Sequence, residues 1–192
     1  MKTIKYILLV YGIVLVGVAV YGCKRKEDTV VQEYLIPITS YKKGFNNKAM
    51  HWADLQINTE RSKRKVFTYS CKALQDSNIV LTLHDSTVYY NGQRLKLVDR
   101  KKIKITQMTI DTKKYLNQTT SVGTDLSYIY INDEMGLILT HNLVYDNIVE
   151  YNTKVLTEIH NKILTDSLLF IESPFIIKLK REVIELNKSI TQ

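Results

Sequence analysis

The stretch VYYNGQRLKLV, Val88 to Val98, decides the fold class. Asn91 and Gly92 tolerate the positive φ angles of a type I′ turn, so Thr87–Tyr90 and Gln93–Val98 are expected to pair as a hairpin. Arg94 and Lys96 then face one way, Leu95 and Leu97 the other. Upstream, Ile79, Leu81 and Leu83 alternate with Val80, Thr82 and His84. Phe67, Tyr69, Cys71 and Ala73 alternate with Thr68, Ser70 and Lys72. Both runs carry the period-two signature of half-buried strands. Downstream, Asp99–Lys101 reads as a turn. Lys102–Ile110 reads as a further strand, whose apolar parity slips from Ile103 and Ile105 to Met108 and Ile110, the mark of a bulge or a strand end.

Farther out the signals thin. Asp111–Asp125 is polar and reads as a loop. LSYIYINDEMGLILTH, Leu126 to His141, reads as a second hairpin turning at Asn132–Gly136. Tyr128 and Tyr130 share one face and Ile129 and Ile131 the other, so both faces are expected to be covered, one by helix. The period then changes. Val155, Leu156, Ile159, Ile163 and Leu168 fall at helical spacing within Asn152–Leu168, with Asn152 as N-cap. Ser173-Pro174 opens a second amphipathic stretch through Ile176, Leu179, Val183, Leu186 and Ile190; segment 174–190 is predicted helical, with an extended strand as the alternative. Toward the N-terminus, Leu35–Pro37 reads as a short extended piece and Tyr41–Asn47 as a loop. Met50–Ile57 reads as a helical turn or an edge strand. The predicted class is α+β: an antiparallel sheet of five to seven strands with C-terminal helices packed on it.

The N-terminus has a different character. Two lysines within Met1–Lys5 precede an apolar run, Tyr6–Gly22, of 17 residues. As a helix it would measure about 25 Å, at the low edge of a bilayer span. It ends at VYGCKRKED, Val20 to Asp28. Val20 and Gly22 before Cys23 resemble the apolar and small positions that precede the modified cysteine of bacterial lipoproteins, although Tyr21 replaces the usual small residue between them. The resemblance covers only the first 28 residues. It implies cleavage before Cys23, acylation of its thiol, and a charged tether. Lys26-Glu27-Asp28 also resembles the lysine-plus-two-acids signal that sends some Gram-negative lipoproteins to the outer face of the cell. Two other readings stay open: an uncleaved single-pass anchor and a plain secretory signal. The expected organisation is a signal peptide (1–22), a lipidated cysteine with its tether (23–33), and one domain (34–192).

Removing residues 1–22 takes away Lys2 and Lys5 and no acid, so the formal charge falls from +8 to +6. The 13 tyrosines and two prolines suit strands. Only Cys71 remains besides Cys23, so burial and not disulfide bonding must stabilise the domain. Cys71 lies on the parity of Phe67 and Tyr69 and is expected to be buried and inert.

No catalytic signature emerges. His51, His84, His141 and His160 show no metal-ligand spacing. His84 and His141 read as solvated strand-end residues, and His160 as exposed on its helix. Asp133 and Glu134 are adjacent carboxylates in a turn, where solvation explains them. Single, scattered glycines exclude a phosphate-cradling loop. Trp52 is expected in the core. No cofactor is implied. The basic features are the run Arg61–Lys65 and the cluster from Arg94 to Lys104. In the latter, Arg94, Lys96, Lys102 and Lys104 are expected to line one sheet face, either as a solvated surface or as a contact for anionic lipid or glycan. An exported domain argues against nucleic acid. The expectation is a non-enzymatic binding or structural module in the cell envelope, held by an N-terminal lipid.

Overall fold

The computed structural model describes residues 29–44, 47–60, 63–72, 78–106, 108–118, 126–166 and 181. The leader, Cys23 and segment 174–190 apart from Arg181 lie outside them. Eleven strands form one sheet: β1 (Val30–Lys42), β2 (Ala49–Thr59), β3 (Arg64–Ser70), β4 (Ile79–His84), β5 (Thr87–Tyr90), β6 (Gln93–Arg94), β7 (Lys96–Lys104), β8 (Thr109–Gln118), β9 (Leu126–Asn132), β10 (Gly136–Asn142) and β11 (Asn147–Tyr151). One helix, α1 (Thr153–Thr165), follows.

The strand order is β6-β5-β4-β3-β2-β1-β11-β10-β9-β8-β7, and every pairing is antiparallel. The two strands at the ends of that order, β6 and β7, are separated in the chain by Leu95 alone. Arg94 pairs with Tyr89 of β5, the Leu95 N–H donates to the Val88 carbonyl, and Lys96 pairs with Leu116 of β8. One continuous strand therefore joins both edges, and the sheet closes on itself as an up-and-down barrel of ten strands. Closure removes most of the unpaired edge that an open sheet would present.

The inward parity of all ten strands meets in one apolar core. It includes Ile38, Leu55, Phe67, Tyr69, Leu81, Val88, Leu95, Tyr115, Ile129, Leu137 and Tyr151. Tyr69 bridges the barrel: its ring meets Tyr151 edge-on at 5.3 Å, and its hydroxyl accepts the Leu137 N–H at 2.7 Å. Gly136 makes this approach possible. It holds φ +77°, and a Cβ there would overlap the Tyr69 hydroxyl and lie 2.7 Å from Phe67 Cδ1. A second core lies outside the barrel wall, where Leu156, Ile159 and Ile163 of α1 cover Tyr128, Tyr130, Leu139 and Ile148. Strands β9 to β11 are thus buried on both faces, as the two-faced pattern around Tyr128 to Ile131 predicts.

The α+β expectation is overturned. The fold is dominated by a single sheet of 11 strands rather than five to seven, with one helix among the described residues rather than several. The missing strands are the polar ones. Asp111–Gln118, read as loop, belongs to β8; its Thr112, Lys114 and Asn117 are buried because the strand lies inside the sheet. Asp99–Lys101, read as a turn, continues β7; the chain reverses between Ile105 and Met108, where the Ile105 N–H donates to the Met108 carbonyl. Met50–Ile57 is neither helical nor an edge: β2 lies between β1 and β3. Strand β11 had no counterpart in the sequence reading. Strand β1 starts at Val30, within the stretch assigned to the tether. The Asn91-Gly92 turn does have positive φ at both residues, +49° and +79°. Asn152 precedes α1 with left-handed φ +52° and makes no side-chain cap.

Candidate functional site

Strand directions give the barrel two distinct ends. At the proximal end, β1 begins at Val30, and the β9–β10 turn and the β7–β8 hairpin tip lie nearby. At the distal end are the Asn91-Gly92 turn, the start of β9 and the β10–β11 connection.

The inward parity changes character toward the distal end. Ile131 and Ile129 give way to Ser127 on β9, Leu137 to Thr140 and Asn142 on β10, and Tyr115 to Asn117 on β8. On β10 the inward register passes from Leu137 to Thr140 across a bulge at Ile138, which turns Leu139 outward. Asn147 and Val149 of β11, with Tyr90 and Gln93 around the tight turn, complete a cup of about 220 Å³. A second hollow of about 360 Å³, lined by Ser40, Lys42, Ile79 and Tyr151, shares Tyr90, Thr140, Asn147 and Val149 with it. Barrel mouths are a recurrent place for ligand sites.

Carboxamides dominate the cup. The Asn142 side-chain oxygen accepts the Val144 and Tyr145 N–H groups at 3.0 Å, and that of Asn91 accepts the Val80 N–H at 2.8 Å. Both oxygens are committed to turns, which leaves their amide N–H groups for other partners. Asn117 differs. It is only 6% exposed, and among the described residues its carboxamide has no hydrogen-bond partner. Tyr151 lines the adjoining hollow; burial raises its phenol well above 10, and a hydrogen bond with the Thr140 hydroxyl opposes that shift. Tyrosine apart, no lining side chain of the 220 Å³ cup is ionisable among the described residues.

The titratable side chains cluster elsewhere. Under α1, the Tyr41 hydroxyl donates to Glu150 Oε1 at 2.6 Å. His160 donates Nε2–H to the Ile138 carbonyl at 2.9 Å, and its Nδ1 stands 3.9 Å from Glu150 Oε2. Burial, then the Glu150 hydrogen bond, pushes the Tyr41 phenol up. Burial holds the His160 imidazole down, against the opposing pull of Glu150. His160 and His141 are each 1% exposed, so the sequence reading of both as solvated is corrected. His160 is four residues from Leu156, on the stripe that faces the sheet, and this spacing could have identified it. His141 Nε2 lies 3.4 Å from Asp146 Oδ1. His84 is exposed beside Asp85, as expected. Trp52 is 47% exposed with Lys154 over its ring, not in the core. Cys71 is buried with a free thiol, as expected. Among the described residues, no group of three His, Cys, Asp or Glu side chains is placed to hold a metal ion.

The basic residues singled out in the sequence do not form one face. Arg94 and Lys96 share the parity of Leu116, outside the barrel. The bulge between Leu97 and Asp99 reverses the register, so Lys102 and Lys104, opposite Asp111 and Thr109, take the other parity at the β7–β8 hairpin tip. All four are exposed. Lys102 and Lys104 are instead at the same end as Lys63 and Arg64 from the basic run Arg61–Lys65, whose Arg61 and Ser62 lie outside the described residues. Arg64 pairs with Glu60 at 3.2 Å, and Lys113 with Asp133. Lys63 and Lys104 make no ion pair among the described residues, whereas Lys102 stands opposite Asp111 and helps hold that carboxyl below its usual range, after Arg100. None of the cup residues was recognisable by type: Asn117, Ser127, Thr140 and Asn142 are ordinary turn-forming residues until strand register turns them inward.

Among the described residues no helix is long and apolar enough to cross a membrane. No protein-family model, curated protein or solved structure matches the chain.

Proposed function

We propose that the protein is a lipid-anchored envelope protein, acylated at Cys23, whose barrel is a non-enzymatic binding module holding its distal cup away from the membrane. The observation that carries this reading is the position of β1. Its first residue, Val30, lies seven positions after Cys23 and at the barrel end opposite the cup. Seven extended residues reach about 25 Å at most, so a lipid on Cys23 keeps the proximal end close to the bilayer. That end carries the exposed Lys63 and Lys104, which make no ion pair among the described residues, together with Lys102 opposite Asp111, a set that suits an anionic lipid surface. Arg94 and Lys96 are farther along the wall and add to the general positive field. The multiple acyl chains typical of lipoproteins hold a membrane stably, whereas a single chain does so only marginally.

The test is the intact mass of the protein extracted from native membranes. The reading expects a chain that starts at an acylated Cys23. A mass for all 192 residues with an unmodified thiol would make the leader a transmembrane anchor and overturn the lipid.

A further inference from the structure

We infer that the distal cup binds a neutral, hydroxyl-rich ring of the size of a single sugar unit. This rests on the reading of the barrel as a binding module, and it adds the ligand class. Three observations carry it. First, Asn117, which is 6% exposed as a residue, lines the cup, and no hydrogen bond engages its carboxamide among the described residues. An amide offers one acceptor and two donors, the complement of a hydroxyl pair on a ring. Second, the groups around it are of the same kind. Gln93, Asn142, Asn147 and Thr140 supply neutral donors and acceptors from three further strands, and the Asn142 oxygen is already fixed by its turn. Third, the lining holds no carboxylate and no cation among the described residues, and the half-buried Tyr90 ring offers an apolar face. A charged ligand would lose its hydration here without a counter-charge, which disfavours it strongly. A wholly apolar ligand would leave the amides unsatisfied. The cup volume, about 220 Å³, suits one ring, and the adjoining hollow of about 360 Å³, lined also by Lys42, opens from it.

The experiment uses the full chain in a detergent without a sugar head group. Side-chain amide resonances are followed by NMR during titration with methyl β-glucoside and N-acetylglucosamine, then with the anionic glucuronate and the cationic glucosamine. The inference expects saturable shifts of the Asn117 amide with at least one neutral sugar. It expects binding at least about tenfold weaker for both charged analogues. Asn117→Leu should weaken binding by at least about tenfold as well; should that variant fail to fold, the rim variant Asn147→Ala serves, with a smaller loss. Lys63→Ala, at the opposite end, should leave binding unchanged. Absence of saturable shifts with both neutral sugars overturns the inference, as does equal binding of glucuronate. A cup that takes N-methylacetamide while refusing both sugars sinks the sugar class and keeps the binding module. The mass measurement on Cys23 is independent of all these outcomes.

Discussion

Replacing Gly136 by alanine tests how the barrel wall at β10 meets β3. The backbone there holds φ +77°, a conformation that costs an L-residue about 1–2 kcal/mol. The new methyl group would overlap the Tyr69 hydroxyl and press on Phe67, and both side chains are 0–1% exposed with no room to retreat. Overpacking of this kind costs about 1–3 kcal/mol. If the Tyr69 ring moves, the Leu137 N–H loses the hydroxyl that accepts it in the interior, a further loss of about 1–3 kcal/mol. The total is about 3–6 kcal/mol, since the last two terms partly substitute for each other. Urea unfolding followed by circular dichroism is the assay. With a slope of about 2 kcal/mol per molar, the midpoint should fall by about 1.5–3 M. Gly92→Ala is the control: φ is +79° but nothing lies within 4 Å of the new methyl, so only the conformational cost of about 1–2 kcal/mol applies. Adding Tyr69→Phe removes the overlapping oxygen, so the double variant should be more stable than the sum of the two single losses by about 1 kcal/mol. A Gly136→Ala midpoint no lower than that of Gly92→Ala would refute the packing of β10 against β3.

Ile159 of α1 is fully buried against the barrel wall, and Ile159→Ala should cost about 2–5 kcal/mol in the same assay; a loss under about 1 kcal/mol would detach α1 from the fold. Burial holds the His160 imidazole below its ordinary 6.5, with Glu150 opposing and Lys48 reinforcing the shift. The unfolded chain therefore takes up that proton first, so the contribution of His160 is complete above pH 6.5 and is lost as the pH falls below it, by at most about 1.4 kcal/mol per pH unit. His160→Gln should flatten that part of the stability profile between pH 7 and 5, and an unchanged profile would contradict the burial. Cys71, 8% exposed, should react slowly with a thiol reagent in the native protein and fully in urea. The unfolded native protein should then titrate one thiol; two would mean that Cys23 is bare. The Arg100–Asp111 pair is exposed on the arginine side, and Arg100→Gln should leave the urea midpoint nearly unchanged, whereas a large fall would contradict the exposure.

The strands legible in the sequence are those with one apolar and one polar parity. Phe67 and Tyr69, then Ile79, Leu81 and Leu83, announce β3 and β4, and the Asn91-Gly92 turn fixes where β5 ends. The tyrosine–isoleucine alternation of β9 reveals a strand covered on both sides. Strand β8 escaped because polar Thr112 and Lys114 interrupt its buried outward row between Ile110 and Leu116; the Lys114 ammonium sits 3.8 Å from the Tyr128 ring centroid, a contact that makes burial tolerable and that no local pattern discloses. Two bulges, at Val98 and Ile138, reverse the parity of β7 and β10. Reading a turn at Asp99–Lys101 in place of the first of them grouped Arg94 and Lys96 with Lys102 and Lys104. The cup was hidden for a related reason. Asn117, Ser127, Thr140 and Asn142 are the polar ends of inward-facing rows, and which row each belongs to follows only from long-range pairing.

Both the cup and the separation of the barrel's two ends require a closed sheet, and closure rests on one strand with two neighbours. Cross-strand nuclear Overhauser effects on β6 and β7 measure this directly. The account predicts contacts from Arg94 to Tyr89 and from Lys96 to Leu116 in the same folded molecule. Contacts on one side only, with β5 or β8 left unpaired beside Leu95, would open the barrel and remove the site.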